Sequence, residues 1–167
     1  MIGGEVYEVL ETICQPQNAF FDVIGCDMLK SLQPTRWPIA LIVNTKPAPQ
    51  PGHWCAFFMK SEQSPIEFFD AFCIPSVLYN DEFIMFMRRM SGKQVMMPRA
   101  IQCFDSSFCG HHCLRYLSSR LTNLSIQHIY THIFKPGCRS NDSDSKFFVE
   151  NVKNWIKFRE WFVQGAP

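Results

Sequence analysis

A chain of 167 residues with 47% hydrophobic side chains, 14% aromatics and a formal charge of +1 has the composition of a globular protein, which excludes a disordered or collagen-like one. The length predicts a single domain over residues 1–167 with a core of its own, and the near-neutral balance gives no ground for a nucleic-acid partner. No stretch is apolar for long enough to span a bilayer, and Met1-Ile2-Gly3-Gly4-Glu5 lacks the basic-then-apolar pattern of a signal peptide, so the expectation is a soluble, intracellular protein that is not secreted and has no membrane partner.

From Glu5 to Ile13, Val6, Val9, Leu10 and Ile13 recur at the spacing of an amphipathic helix. Asn18 to Leu29 has apolar clusters interrupted by Asp22, Gly25 and Asp27 and reads as irregular. The unbroken run Ile39-Ala40-Leu41-Ile42-Val43 between Pro38 and Asn44 reads as a buried strand. Prolines 47, 49 and 51 make Lys46 to Gly52 a loop. Two further strands follow, His53 to Met59 and Ile66 to Phe72, close enough in sequence to pair antiparallel and bring His53 near Asp70.

Asn80 or Asp81 caps a helix to Met90, and Gln94 to Met97 is a short strand. Ile101 to Cys103 is extended. After the polar turn Asp105-Ser106-Ser107, a helix with Cys109, Cys113, Leu117 and Leu121 on one face fades near Asn123. Ser125 to Ile133 reads as a helix, Pro136 to Asp144 as a polar loop, and Ser145 to Phe162 as a final helix with Phe148, Val152, Trp155, Ile156 and Phe158 as its apolar stripe. Strands in the middle with helices on either side predict an α+β fold. The eight cysteines are scattered through apolar segments, which favours free, mostly buried thiols over a disulfide framework.

Cys109 stands where a thiol ionises most easily, because the unpaired N–H groups and positive dipole end of a helix start stabilise a thiolate. A thiol nucleophile also needs a base, a group that orients the base, and donors for the developing oxyanion. His53, Asp70, and Gln102 with the Cys109 N–H supply one candidate for each role.

Gly-His-Trp before an apolar strand, Asp70 within Phe-Phe-Asp-Ala-Phe, and Gln102 followed seven positions later by Cys-Gly-x-x-Cys resemble the adenovirus-type cysteine protease (adenain) family. More broadly they resemble the clan that includes the ubiquitin-like-protein-specific proteases. The resemblance implies a papain-like arrangement: a central mixed or antiparallel sheet flanked by helices, with the nucleophile starting a central helix. It makes His53 the base, Asp70 the acid, Gln102 the oxyanion donor and Cys109 the nucleophile, with Trp54 and Gly110 beside the substrate.

It further implies an endopeptidase acting on viral precursor proteins at Gly-Gly-type sites during virion maturation. The source would be an adenovirus-related or Polinton-like DNA virus, and the location the host cell, its nucleus included, and the virion. Two departures bear on cofactors. The adenovirus enzymes have Glu where this chain has Asp70, and Met90-Ser91-Gly92-Lys93 lacks the cysteine that holds their activating peptide. The sequence therefore requires no cofactor and indicates neither an activating peptide nor DNA.

Other readings stand beside this one. Removal of ubiquitin or a ubiquitin-like modifier uses the same chemistry on a Gly-Gly terminus. A non-catalytic or zinc-binding module would use Cys109, His111, His112, Cys113 and Cys103, but adjacent histidines on a helix diverge by about 100° and no second ligand pair has suitable spacing, so no metal is expected. His111 and His112 either line the cleft edge or are exposed. Lys153, Lys157 and Arg159 read as the solvated face of the last helix. Met1-Ile2-Gly3-Gly4 itself has the form of an adenain-type site, which raises self-cleavage after Gly4.

Overall fold

The computed structural model describes residues 3–163. Helix α1 (Gly3–Cys14) buries Val6, Val9, Leu10 and Cys14 along the expected stripe. Strand β1 (Phe20–Gly25) then corrects the reading of Asn18 to Leu29 as irregular. Most of β1 is half-covered, so it shows no in/out alternation in sequence. Its strand character comes from parallel pairing with β2 (Ile39–Asn44), Phe20 opposite Ile39 and Gly25 opposite Asn44. A 3₁₀ turn, Cys26–Lys30, begins the connection between them.

All six residues of β2 are buried, as a strand covered on both faces requires. β3 (Trp54–Met59) pairs antiparallel with β2, and β4 (Ile66–Phe69) antiparallel with β3. Helix α2 (Asp81–Met90) is capped by the Asn80 side chain, which accepts from the Phe83 N–H at 3.0 Å. β5 (Gln94–Met96) lies parallel to β4 and completes a mixed sheet in the order β1-β2-β3-β4-β5.

Helix α3 (Cys109–Leu121) crosses one face of the sheet. Its Cys113, Leu114 and Leu117 share a core with Val6 and Leu10 of α1 and with Ala40, Ile42, Ala56 and Phe58 of the sheet. The other face carries Leu41, Val43, Phe57 and Phe68 under Phe83, Phe86 and Met87 of α2. The buried carboxylate of Glu67 on β4 fixes α3 over the sheet. It accepts from Tyr116 Oη at 2.6 Å and from Arg120 Nε and Nη2 at 2.7 and 2.6 Å. Such a bidentate pair sets position as well as energy.

Helix α4 (Ile126–His128) runs on into a π turn, Ile129–Ile133. Helix α5 (Cys138–Val163) begins inside the segment Pro136 to Asp144 read as a loop, and this is a second correction. The polar residues of its first turns face inward: Asn141 Nδ2 donates to the carbonyls of Ile101 and Lys135, while Asp142 and Ser145 both bond His112. Farther along, Phe148, Val152 and Ile156 pack on the core as expected, whereas Trp155 and Phe158 are exposed. A third correction concerns the thiols: Cys103 and Cys138 form a disulfide, and the other six cysteines are free. The bond joins the loop after Gln102 to the first residue of α5, two segments 35 residues apart that no local pattern brings together.

Candidate active site

β3 and β4 deliver two of the candidate residues and α3 a third. His53 immediately precedes β3, and its Nε2 meets Asp70 Oδ1, just past the end of β4, at 2.5 Å. That leaves Nδ1 of the ring for Cys109, whose thiol and the imidazole shift each other's pKa. His53, Asp70 and Cys109 therefore form one continuous line, brought together from three elements.

Asp70 is 1% exposed, a costly place for a carboxylate unless it is fully hydrogen-bonded. It has a ring of donors. The Phe72 N–H reaches Oδ1 at 3.1 Å, the Ile74 N–H reaches Oδ2 at 2.7 Å, and Tyr79 Oη donates to Oδ2 at 2.9 Å. The turn that aims these N–H groups runs through Cys73, a non-glycine residue at φ 59°, whose left-handed conformation costs about 1 kcal/mol. Burial raises the Asp70 pKa, but the bonds from His53, Ile74 and Phe72 outweigh it and hold the group below the ordinary carboxylate value.

His53 is subject to the same contest with the opposite result for charge. Burial disfavours the imidazolium, yet its bonds to Asp70 and Cys109 push its pKa up to about 9. Phe72 and Tyr79 stack on the ring, at centroid separations of 5.0 and 5.9 Å. Burial likewise raises the Cys109 thiol, but His53 and backbone bonds to Trp54 and Gly110 bring it below the usual thiol value. Phe108 at the helix N-cap makes no side-chain capping bond, so no side-chain oxygen there competes for the first N–H groups of α3. The neighbouring thiols differ. Burial drives Cys55 and Cys113 well above the ordinary value, and Cys113 donates its S–H to the Trp54 carbonyl.

Gln102 sits on a loop hung from the end of β4. The N–H groups of Ile101 and Gln102 both donate to the Ala71 carbonyl, at 2.8 and 3.1 Å. The Gln102 side chain is buried, and its Nε2 donates one hydrogen to the Ser106 carbonyl at 2.9 Å, leaving the second free. Trp54 lies beside Gly110: a methyl group placed on that glycine would stand 3.5 Å from Trp54 Cδ1. Trp54 also walls an apolar groove of about 640 Å³ lined by Val23, Ile24, Met28, Pro49 and Pro51.

The residues considered for zinc are dispersed. Cys103 is in the disulfide, Cys113 faces the core, and His112 is buried between Asp142 and Ser145. His111 is partly covered and pushed down to about 4, chiefly by burial. Ligand atoms of His53, Cys55 and Asp70 lie within 4.8 Å of one another, but the Asp70 oxygens are already engaged and Cys55 is enclosed. Gly4 lies in the first turn of α1, while Met1 and Ile2 lie outside the described residues. Sequence reasoning missed Tyr79, which stands in no motif, and gave no role to Phe72, the last residue of Phe-Phe-Asp-Ala-Phe; both reach His53 through the turn after β4.

No family model matches the sequence, and no curated protein does. Solved structures are similar, among them two of one protein. One is the crystal structure of the ASFV pS273R protease, at 17% identity and a TM-score of 0.59, the match covering 89% of this chain and 65% of that one. The other is the selenomethionine form of that protein, at 16% identity and a TM-score of 0.51, covering 79% of this chain and 62% of that one. This chain thus spans less than two thirds of the length of the protein it is similar to. The likeness is one of fold: α+β, with a five-stranded mixed sheet and flanking helices, of the papain-like cysteine-protease type.

Proposed function

We propose that this chain is an adenain-like cysteine endopeptidase. The observation that carries the reading is the line Cys109–His53–Asp70 at the start of α3, with a lowered thiol beside a raised imidazole. The Cys109 thiolate attacks the scissile carbonyl carbon, and the oxyanion is received by the Cys109 N–H and the free hydrogen of Gln102 Nε2. His53 gives its proton to the leaving amine as the C–N bond breaks, leaving a thioester. Water then attacks the thioester carbonyl, His53 takes the water's proton, and the thiolate departs.

The groove beside Trp54 supports a substrate with a large aliphatic residue shortly before Gly-Gly. With an indole lying against Gly110 next to the nucleophile, the chain passing it is favoured when it has no side chains. Viral precursor proteins processed in the host cell and virion are the substrates of this reading. Self-cleavage after Gly4 belongs to the same proposal and requires the first turn of α1 to unwind, since Gly4 is helical in the fold.

The test compares wild type with Cys109→Ala on fluorogenic peptides ending in an aliphatic residue, a spacer and Gly-Gly, beside a ubiquitin-tail peptide. Intact masses of both proteins are recorded. Cleavage by wild type alone is expected, with the first peptide preferred; preference for the ubiquitin tail would move the reading to modifier removal. Turnover by Cys109→Ala overturns the mechanism, and identical untrimmed N-termini overturn self-cleavage.

A further inference from the structure

Phe104 is 89% exposed, more than any other large apolar side chain among the described residues, and it stands two positions after Gln102. It is not loose. Its ring stacks on Phe72 with centroids 5.5 Å apart and planes 5° from parallel, and Phe72 stacks in turn on His53 at 5.0 Å. An aromatic column therefore starts at the imidazole and ends in solvent, joining the Gln102 loop to the turn around Asp70. One face of Phe104 supports the column and the other faces water.

Two apolar surfaces thus flank Cys109 and His53. The groove beside Trp54 is lined from α1, β1, the Cys26–Lys30 turn and the loop before β3, and takes no residue from 70–79 or 101–109. The column is built wholly from those two segments and His53. The leaving amine takes its proton from His53, so the chain on the leaving side must pass the imidazole and the ring stacked on it. The acyl side then runs the other way, past Trp54.

We propose that Phe104 and Phe72 form the subsite for the first residues after the scissile bond and select an apolar, preferably aromatic, side chain there. Stacked rings offer a flat face that a phenyl or aliphatic group covers on binding, while a small polar group leaves that face wet. The proposal rests on the endopeptidase reading and adds leaving-side specificity to it.

Peptides with one acyl part and Phe, Leu, Ser or Asp after Gly-Gly test it, beside the same acyl part as a methyl ester, whose leaving group is too small to reach the rings. Wild type is expected to favour Phe over Ser by roughly tenfold in kcat/KM. In Phe104→Ser that ratio should fall to about one, the loss on the Phe peptide being several times the loss on the ester. Retained preference overturns the proposal, and so does an equal loss on the Phe peptide and the ester, which would make Phe104 a support for the Gln102 loop. Calorimetric binding of the uncleaved Phe peptide to Cys109→Ala, with and without Phe104→Ser, reads the subsite without turnover. An affinity that Phe104→Ser leaves unchanged overturns the subsite even if the endopeptidase reading stands, whereas wild-type inactivity with Phe104-dependent binding removes the endopeptidase and keeps the subsite.

Discussion

His53 and His112 each bond an aspartate through Nε2, at 2.5 and 2.7 Å, yet the two rings titrate in opposite directions. His53 is pushed up to about 9, while His112, buried between α3 and α5, is held below the ordinary histidine value. Burial opposes charge in both. The difference lies in what meets the second nitrogen. His53 has Cys109 there, a second group able to carry negative charge, whereas His112 has the neutral hydroxyl of Ser145 at 2.9 Å and the Arg115 charge nearby. At His53, which keeps some exposure, the bond to Asp70 together with Cys109 outweighs burial, whereas at the fully buried His112 the bond to Asp142 does not. In the proposed mechanism the first pair serves proton transfer, whereas the second fastens α5 to the helix that starts with Cys109.

Removing each histidine should separate these roles most sharply. His53→Ala should lower kcat/KM by a factor on the order of 10⁴ or more while the protein still folds, because Asp70 keeps its bonds from Phe72, Ile74 and Tyr79. His112→Ala should destabilise by about 3 kcal/mol, because Asp142 is left buried without its partner, while the folded fraction still cleaves. Comparable losses of turnover from both variants would dissolve the distinction.

Gln102→Ala should reduce kcat about a hundredfold with KM little changed, since in the proposed mechanism the hydrogen not given to Ser106 meets only the oxyanion. Iodoacetamide labelling of Cys109 needs no oxyanion donor and should proceed at the wild-type rate. Slowed labelling would mean that the loop positions the thiol instead.

The pH dependence follows from the signs. Turnover needs His53 protonated and Cys109 ionised, so kcat/KM should fall as pH rises through about 9 and fall on the acid side as the thiolate takes a proton. Asp70→Asn removes the charge that raises His53 and should draw the alkaline limb downward. An unmoved limb would assign it to another group. Stability runs oppositely at the two sites. The His53 contribution is present below its ordinary value of 6.5 and lost as pH rises through about 9, whereas the His112 contribution is complete above 6.5 and lost as pH falls.

The smallest expected effect is that of Tyr79→Phe, which keeps the stack on His53 and deletes one donor to Asp70. The loss should be about tenfold in kcat, the worth of one hydrogen bond to a charged group, with KM unchanged. A wild-type kcat would leave the hydroxyl without a part in positioning Asp70.

Much of this was legible in the chain itself. The spacing of Val6, Val9 and Leu10, the unbroken run of β2 and the capping Asn80 are local signals with local causes, and the structure bears them out. The juxtaposition of His53 and Asp70 was also legible, because two short neighbouring strands must return the chain to the same edge. β1 was not, since its strand character comes from parallel pairing with β2 and leaves no alternation to read. Nor was the start of α5, where Asn141, Asp142 and Ser145 turn inward to bond groups distant in sequence, so polarity there signals burial.

What the sequence by itself determined was the inventory: one helix-start cysteine, a strand-edge histidine, an acid and a glutamine in an order and spacing that suit one chemistry. What only the tertiary structure decided was how each is tuned and held. The ring of donors around Asp70, the stacking of Phe72 and Tyr79 on His53, the Cys103–Cys138 bond beside Gln102 and the opposite titration of two similar histidine–aspartate pairs all depend on groups far apart in the chain. Charge and hydrogen bonding act through space over a few ångströms, and only folding sets those distances.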